Sequence, residues 1–158
     1  MICPIEYPPP GEAAGLTFLV VDDSAVMRRV VVNHLKELGV TSFLQAGDAA
    51  TAWSILQTTP VDCILCDWNM PGMKGIELLS KVRGTPALQG LPFLMVSAEA
   101  QPDYILEAIG RGVTNYLTKP FTGPALHRKV AAALQTRRRS LATAEATQSG
   151  TDGANASP

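Results

Sequence analysis

The sequence contains no apolar run near the roughly 18 residues that a bilayer-spanning helix needs, so no membrane association is expected. Its opening stretch, MICPIEYPPPGEAAG, lacks a basic segment followed by an apolar one and does not read as a secretory signal. A cytoplasmic location is expected. An excess of charge is missing too: 13 basic and 14 acidic residues leave a net charge of −1. A balance so close to zero does not point to nucleic acid or to an acidic lipid surface. The one basic run, Arg137-Arg138-Arg139, reads as a solvated helix end, where cations suit the macrodipole. Cysteine is scarce, and three is an odd number for a disulfide framework. Cys63 and Cys66 form a C-x-x-C, but within VDCILC, which reads as a buried strand. Positions i and i+3 on a strand point to opposite faces, so the pair cannot join in one redox or zinc site. Both are expected to be small buried hydrophobes. Cys3 falls in an N-terminal tail.

What is present is a globular composition, 46% apolar and 17% charged, over a length of 158 residues that suits one domain. Residues 1–15 are rich in Pro and Gly, and residues 139–158 are small and polar. Two flexible tails are therefore expected around a single unit at 16–138. No internal repeat is seen.

Inside that unit, apolar runs alternate with helical patterns. Leu16 to Val21 is almost continuously apolar, as in a strand buried on both faces. Asp22-Asp23-Ser24 then offers N-cap chemistry. Val26, Met27, Val30, Val31, His34, Leu35 and Leu38 recur at helical spacing, and Gly39 ends that helix. Further strands are predicted at Thr41 to Gln45, Val61 to Cys66, Leu91 to Val96 and Val113 to Thr118. Helices are predicted at Ala49 to Gln57 with Asp48 as cap, at Gly75 to Arg83, from Pro102, and from Thr122 to Arg138. Strands and helices that alternate in this way predict an α/β fold, a doubly wound five-stranded parallel sheet of the flavodoxin-like kind with five helices. Such sheets bind ligands beyond the carboxyl ends of their strands, where strand order switches.

The chemistry-bearing residues follow the strands. Asp22 and Asp23 come after the first, Asp67 after the third, Ser97 after the fourth and Lys119 after the fifth. Three carboxylates converging at one sheet edge repel one another, and each is driven toward protonation unless a cation intervenes. Carboxylate, carbonyl and water form a Mg²⁺ ligand set. Lys119 adds a mobile positive charge. Each residue alone has a bland explanation, as a cap, a turn or a surface lysine. Four strand ends agreeing make that explanation weak.

In these features the chain resembles the receiver domains of two-component response regulators, and among them the single-domain chemotaxis type. The matching stretches are FLVVDDSAVMRRVV at 18–31, LKELGV at 35–40, CDWNMPGMKGIELL at 66–79, LPFLMVSAEA at 91–100 and YLTKPFT at 116–122. The resemblance covers about residues 16–135.

It implies that Asp67 is the nucleophile and becomes an aspartyl phosphate. It implies that Asp23, Asp67 and the backbone carbonyl of Asn69 bind Mg²⁺ directly, with Asp22 acting through a metal-bound water. Ser97 is then the phosphoryl hydrogen-bond donor, Lys119 its electrostatic partner, and Pro120 the family's cis-proline. Ser97 and Tyr116 are the switch pair: the hydroxyl moves toward the phosphoryl group and the ring follows. The face of the fourth helix, fifth strand and fifth helix then changes its affinity for partners. Asn69 and Glu99 flank the line of water attack and imply a short-lived phosphoryl group.

Implied partners are a histidine kinase as donor and an effector such as a flagellar motor switch or a phosphatase, with the chain a monomer. The chain is not expected to be an enzyme beyond catalysing its own phosphorylation and dephosphorylation. With no DNA-binding segment after residue 140, output by protein contact is expected. Departures from the pattern are Lys74, where the family's loop usually carries Asp, and Gln101-Pro102, where the motor-binding regulator is basic. Two other readings within this frame are a phosphate sink or shuttle and a phosphorylation-independent interaction module. An aspartyl-phosphate hydrolase would want Asp-x-Asp after the first strand. A flavin carrier would want a Gly-rich phosphate loop there, where Asp22-Asp23 would repel a phosphate.

Overall fold

The apolar run after Leu16 forms β1, Thr17–Val21, an interior strand of the sheet. The computed structural model describes residues 15–136. The expected tails, apart from Gly15, together with Cys3 and Arg137 to Arg139, lie outside the described residues. The remaining elements are α1 (Ala25–Glu37), β2 (Ser42–Ala46), α2 (Ala49–Thr58), β3 (Cys63–Cys66) and α3 (Gly75–Arg83). They are followed by β4 (Phe93–Ser97), α4 (Pro102–Gly110), β5 (Asn115–Thr118) and a fifth helix, α5, over 123–136.

The strands are all parallel, in the order β2-β1-β3-β4-β5. The chain steps from β1 to β2 on one side and then crosses to β3 on the other. The switch in direction therefore falls between β1 and β3, the place where such sheets open a crevice.

Side-chain alternation divides the core into two layers. Leu19, Val21, Ile64, Cys66, Phe93 and Met95 face α2, α3 and α4, against Ala52, Leu56, Leu79 and Val82. Phe18, Val20, Cys63, Leu65, Leu94 and Val96 face α1 and α5, against Val31, Leu35, Leu126 and Val130. Cys63 and Cys66 thus lie in opposite layers, both buried, as their spacing requires. Each fully buried Leu, Ile or Phe contributes roughly 1.5–3 kcal/mol relative to exposure, so these two layers are the main source of cohesion.

Local signals set the ends of the elements. Ser24 Oγ accepts from the Met27 amide at 3.2 Å and starts α1. Gly39, at φ 90°, ends it: its amide donates to Lys36 O at 3.0 Å and the Val40 amide to Leu35 O at 3.2 Å. Three strands begin two residues later than expected. Asp62 leaves β3 because its carboxylate accepts from the Thr17 amide at 2.8 Å. β4 begins after Pro92, which has no amide to donate. Val113 is drawn out of β5 because its amide caps α4 on Ala108 O at 3.0 Å, past Gly112 at φ 90°.

Candidate functional site

Ladder hydrogen bonds continue one residue past the strands and fix the site residues to the sheet edge. The Asp22 amide donates to Ala46 O at 3.1 Å, that of Asp67 to Val21 O at 2.9 Å, and that of Lys119 to Ser97 O at 2.8 Å. The expected carboxylates therefore meet. Oxygens of Asp22, Asp23 and Asp67 all lie within 4.8 Å of one another and could hold a metal ion. Asp22 and Asp67 are buried, while Asp23 is exposed. The Lys119 ammonium lies between the two buried carboxylates, 2.8 Å from Asp22 Oδ2 and 3.3 Å from Asp67 Oδ2. The Lys119–Pro120 peptide is cis.

One cation against three carboxylates leaves the cluster negative. Burial raises the Asp67 carboxyl above its ordinary range, and the charge of Asp22 adds to this, while Lys119 pulls in the opposite direction. Burial alone would lower the Lys119 ammonium. The Asp22 hydrogen bond and the charges of Asp67 and Asp22 outweigh it and hold the group above its ordinary value. The donor set is all oxygen, which suits a hard divalent cation. Charge and ligand chemistry therefore both fit Mg²⁺ at this edge.

The other oxygens of these carboxylates are already oriented. Asp67 Oδ1 accepts from the Trp68 amide at 2.7 Å, and Asp22 Oδ1 from the Ser24 amide at 2.9 Å. Ser97 is fully buried, and its Oγ accepts from the Glu99 amide at 3.1 Å. Tyr116 is buried as well and donates its hydroxyl to the Glu99 carbonyl. Burial raises its phenol, with the Ser97 hydroxyl acting against that shift. Asn69 Nδ2 donates to the Glu99 carboxylate, so these two residues, 30 apart in sequence, meet at the exposed mouth of the site.

Three supporting residues, Arg28, Gly75 and Arg83, escaped the sequence reading, while Trp68 stands out in the sequence as the residue directly after Asp67. Arg28 Nη1 donates to Asp22 O at 2.6 Å and ties α1 to the acidic pair. A Cβ on Gly75 would stand 2.0 Å from Asp67 O, so the start of α3 is pressed against the backbone of the central aspartate. Trp68 is buried, edge-on to Tyr104 at 5.1 Å between ring centroids. Arg83 reaches from the end of α3 to Gly112 O at 2.7 Å and Leu91 O at 2.6 Å, which locks two loops on the opposite edge. A glycine opening a helix is a visible signal of close approach. The arginines carry no comparable signal. Lys74 is the N-cap residue of α3, and its amide donates to Glu77 Oε2 at 2.7 Å.

Comparison with known proteins fits this geometry. The model of the response regulator receiver domain matches residues 18–131. The chain is 46% identical over 115 residues to the chemotaxis protein CheY of Pseudomonas aeruginosa, spanning 73% of this chain and 93% of that one. It is similar to the solved chemotaxis response regulator CheY4 of Vibrio cholerae, with TM-score 0.70 and 31% identity over 75% of this chain and 98% of that one. It is also similar to the Mn(2+)-bound form of the response regulator Rcp1, with TM-score 0.65 and 26% identity over 73% of this chain and 89% of that one.

Proposed function

The chain belongs to the response regulator receiver domain family, and on that premise we propose that Asp67 accepts a phosphoryl group in a Mg²⁺-dependent reaction and so switches a protein-binding face. Members of this family are signalling proteins rather than enzymes of the ordinary kind. The observation that carries the reading is the Lys119 ammonium held between two buried carboxylates, Asp67 and Asp22, at the ends of their strands.

Phosphoryl transfer depends on positioning and on charge at the oxygens more than on a strong base. An oxygen of Asp67 forms the new O–P bond as the donor's bond to phosphorus breaks, and the leaving group keeps that electron pair. Lys119 stays close to the acceptor and neutralises charge on the incoming group. Ser97 supplies an O–H donor from the buried end of β4. Asp22, Asp23, Asp67 and the Asn69 carbonyl would hold Mg²⁺, which when bound adds positive charge on the phosphoryl oxygens. The Mn(2+)-bound form of Rcp1 supports a divalent cation here.

Asn69 and Glu99, joined at the mouth, are the residues we assign to the lifetime of the phosphoryl group. The implied donor is a histidine kinase. Leu106 and Ile109 on α4 are exposed at 64% and 60% and favour a protein partner over a plain phosphate sink. A flagellar motor switch or a phosphatase is the kind of partner that chemotaxis relatives suggest. A cytoplasmic location and a monomeric state go with this reading. Incubating the full chain with acetyl phosphate and Mg²⁺, then taking its intact mass, tests the proposal. One added phosphoryl group, absent in Asp67→Asn and without Mg²⁺, is the expected result. Equal labelling of the variant would sink it.

A further inference from the structure

Both histidines of the chain, 93 residues apart, meet beside one carboxylate at the C-terminal end of α1, whose N-terminal end follows the acidic pair. His34 and Glu37 lie in the last turn of α1, and His127 lies in α5. Glu37 Oε2 is 3.4 Å from His34 Nδ1 and 3.2 Å from His127 Nε2. The three atoms all lie within 4.8 Å of one another. The imidazoles are set edge to face, with ring centroids 6.0 Å apart and planes at 79°. His127 Nε2 also lies 2.9 Å from the backbone oxygen of His34.

We propose that His34 Nδ1, His127 Nε2 and a carboxylate oxygen of Glu37 form a second metal site, for Zn²⁺. Two imidazoles and a carboxylate are a zinc donor set, and one that magnesium, which prefers oxygen, does not favour. The spacing agrees: tetrahedral ligands at about 2.0–2.1 Å from zinc stand roughly 3.3–3.4 Å from each other. Both measured separations from Glu37 Oε2 match that edge, at 3.4 and 3.2 Å. Side-chain exposures of 26% for His34, 56% for Glu37 and 11% for His127 leave an entry path and a position for water as fourth ligand. Close packing holds the rings in place: a Cβ on Gly123 would come within 2.9 Å of His34 Nδ1. In the metal-bound form the contact of His127 Nε2 with the His34 carbonyl gives way to the metal. The ion then clamps the end of α1 to the first turns of α5.

The test is equilibrium dialysis of the untagged full chain against ZnCl₂ in buffer with millimolar Mg²⁺, which keeps the aspartate cluster supplied with its own ion. One zinc per chain is expected. Affinity should fall about tenfold or more in His34→Ala and in Glu37→Gln, each of which removes or weakens one of three ligands. Both positions are partly exposed, and circular dichroism checks that the variants fold. Asp67→Asn and Cys3→Ser should keep the zinc. Co²⁺ in place of Zn²⁺ should give the visible absorption of four-coordinate cobalt in wild type and not in His34→Ala. No zinc on wild type, or zinc that survives His34→Ala, or zinc lost in Cys3→Ser, overturns the proposal and leaves a hydrogen-bonded helix contact.

Discussion

Tyr116 donates its hydroxyl to the backbone carbonyl of Glu99, the residue whose own amide is held by Ser97 Oγ at 3.1 Å. The ring of the proposed switch residue is therefore anchored inward, against the segment that follows β4. Removing the hydroxyl in Tyr116→Phe leaves that carbonyl without this donor and should cost about 1 kcal/mol. The midpoint of urea unfolding measures it. An unchanged midpoint would mean that the hydroxyl does not anchor the ring.

Gly75 should tolerate no side chain. A Cβ there meets Asp67 O at 2.0 Å and Cys66 Sγ at 3.1 Å, both in the segment that presents the proposed acceptor. Gly75→Ala must shift either α3 or Asp67. A destabilisation of about 1–3 kcal/mol is expected, along with phosphoryl uptake slowed on the order of a hundredfold if the aspartate moves by about 1 Å. Stopped-flow labelling with acetyl phosphate measures the rate. Full activity in the variant would show that the acceptor position is less constrained than this contact requires.

Arg83 joins four backbone or hydroxyl acceptors, Gly112 O, Gln89 O, Leu91 O and Thr114 Oγ1, at 2.6 to 3.2 Å. Burial lowers its guanidinium from the ordinary value, so these bonds replace lost hydration. Arg83→Ala should cost on the order of 2–3 kcal/mol. Arg83→Lys should recover only part of it, because an ammonium lacks the planar fork. Thermal unfolding of the three proteins gives the ranking, and an alanine variant as stable as wild type would remove this role.

Asp48 gives a pH signature away from the site. Its carboxylate caps α2 by accepting from the Thr51 amide at 2.7 Å, and that bond lowers it below its ordinary value of 3.8. A lowered native value means the charged form favours folding. The contribution is complete above 3.8 and fades as pH falls through the lower native value. Asp48→Asn keeps an acceptor but loses the charge. The stability gap between wild type and variant should be constant near neutrality and shrink below that window, as followed by denaturant unfolding at stepped pH.

The sheet was legible because four of its five strands, β1, β3, β4 and β5, carried an apolar stretch followed by a chemical marker, while β2, SFLQA, has neither a long apolar run nor such a residue directly after it. Gly39 and Asp48 marked helix ends by local chemistry, and both hold those places. Strand starts at Val61, Leu91 and Val113 were less legible because non-local bonds decide them, such as that of the Thr17 amide to Asp62. At the site, Asp22, Asp67 and Lys119 could be read from their places after strands, and the structure brings them together. Arg28 and Arg83 could not, since their partners are backbone carbonyls that no sequence pattern advertises. The meeting of His34 with His127 depends on how α1 packs beside α5, which helical periodicity does not specify.

The proposed phosphorylation of Asp67 can be tested from the next residue. Trp68 is buried, its amide is bonded to Asp67 Oδ1 at 2.7 Å, and its ring packs on Tyr104. The other tryptophan, Trp53, lies on α2 with Lys81 Nζ 5.1 Å from its ring and supplies a constant background. Emission should be followed as Mg²⁺ and then beryllofluoride are added to wild type and to Asp67→Asn. A saturable change that needs Mg²⁺ and is absent in Asp67→Asn is the predicted result. A folded wild type whose emission responds to neither addition, or a variant that responds equally, would contradict phospho-acceptance at Asp67.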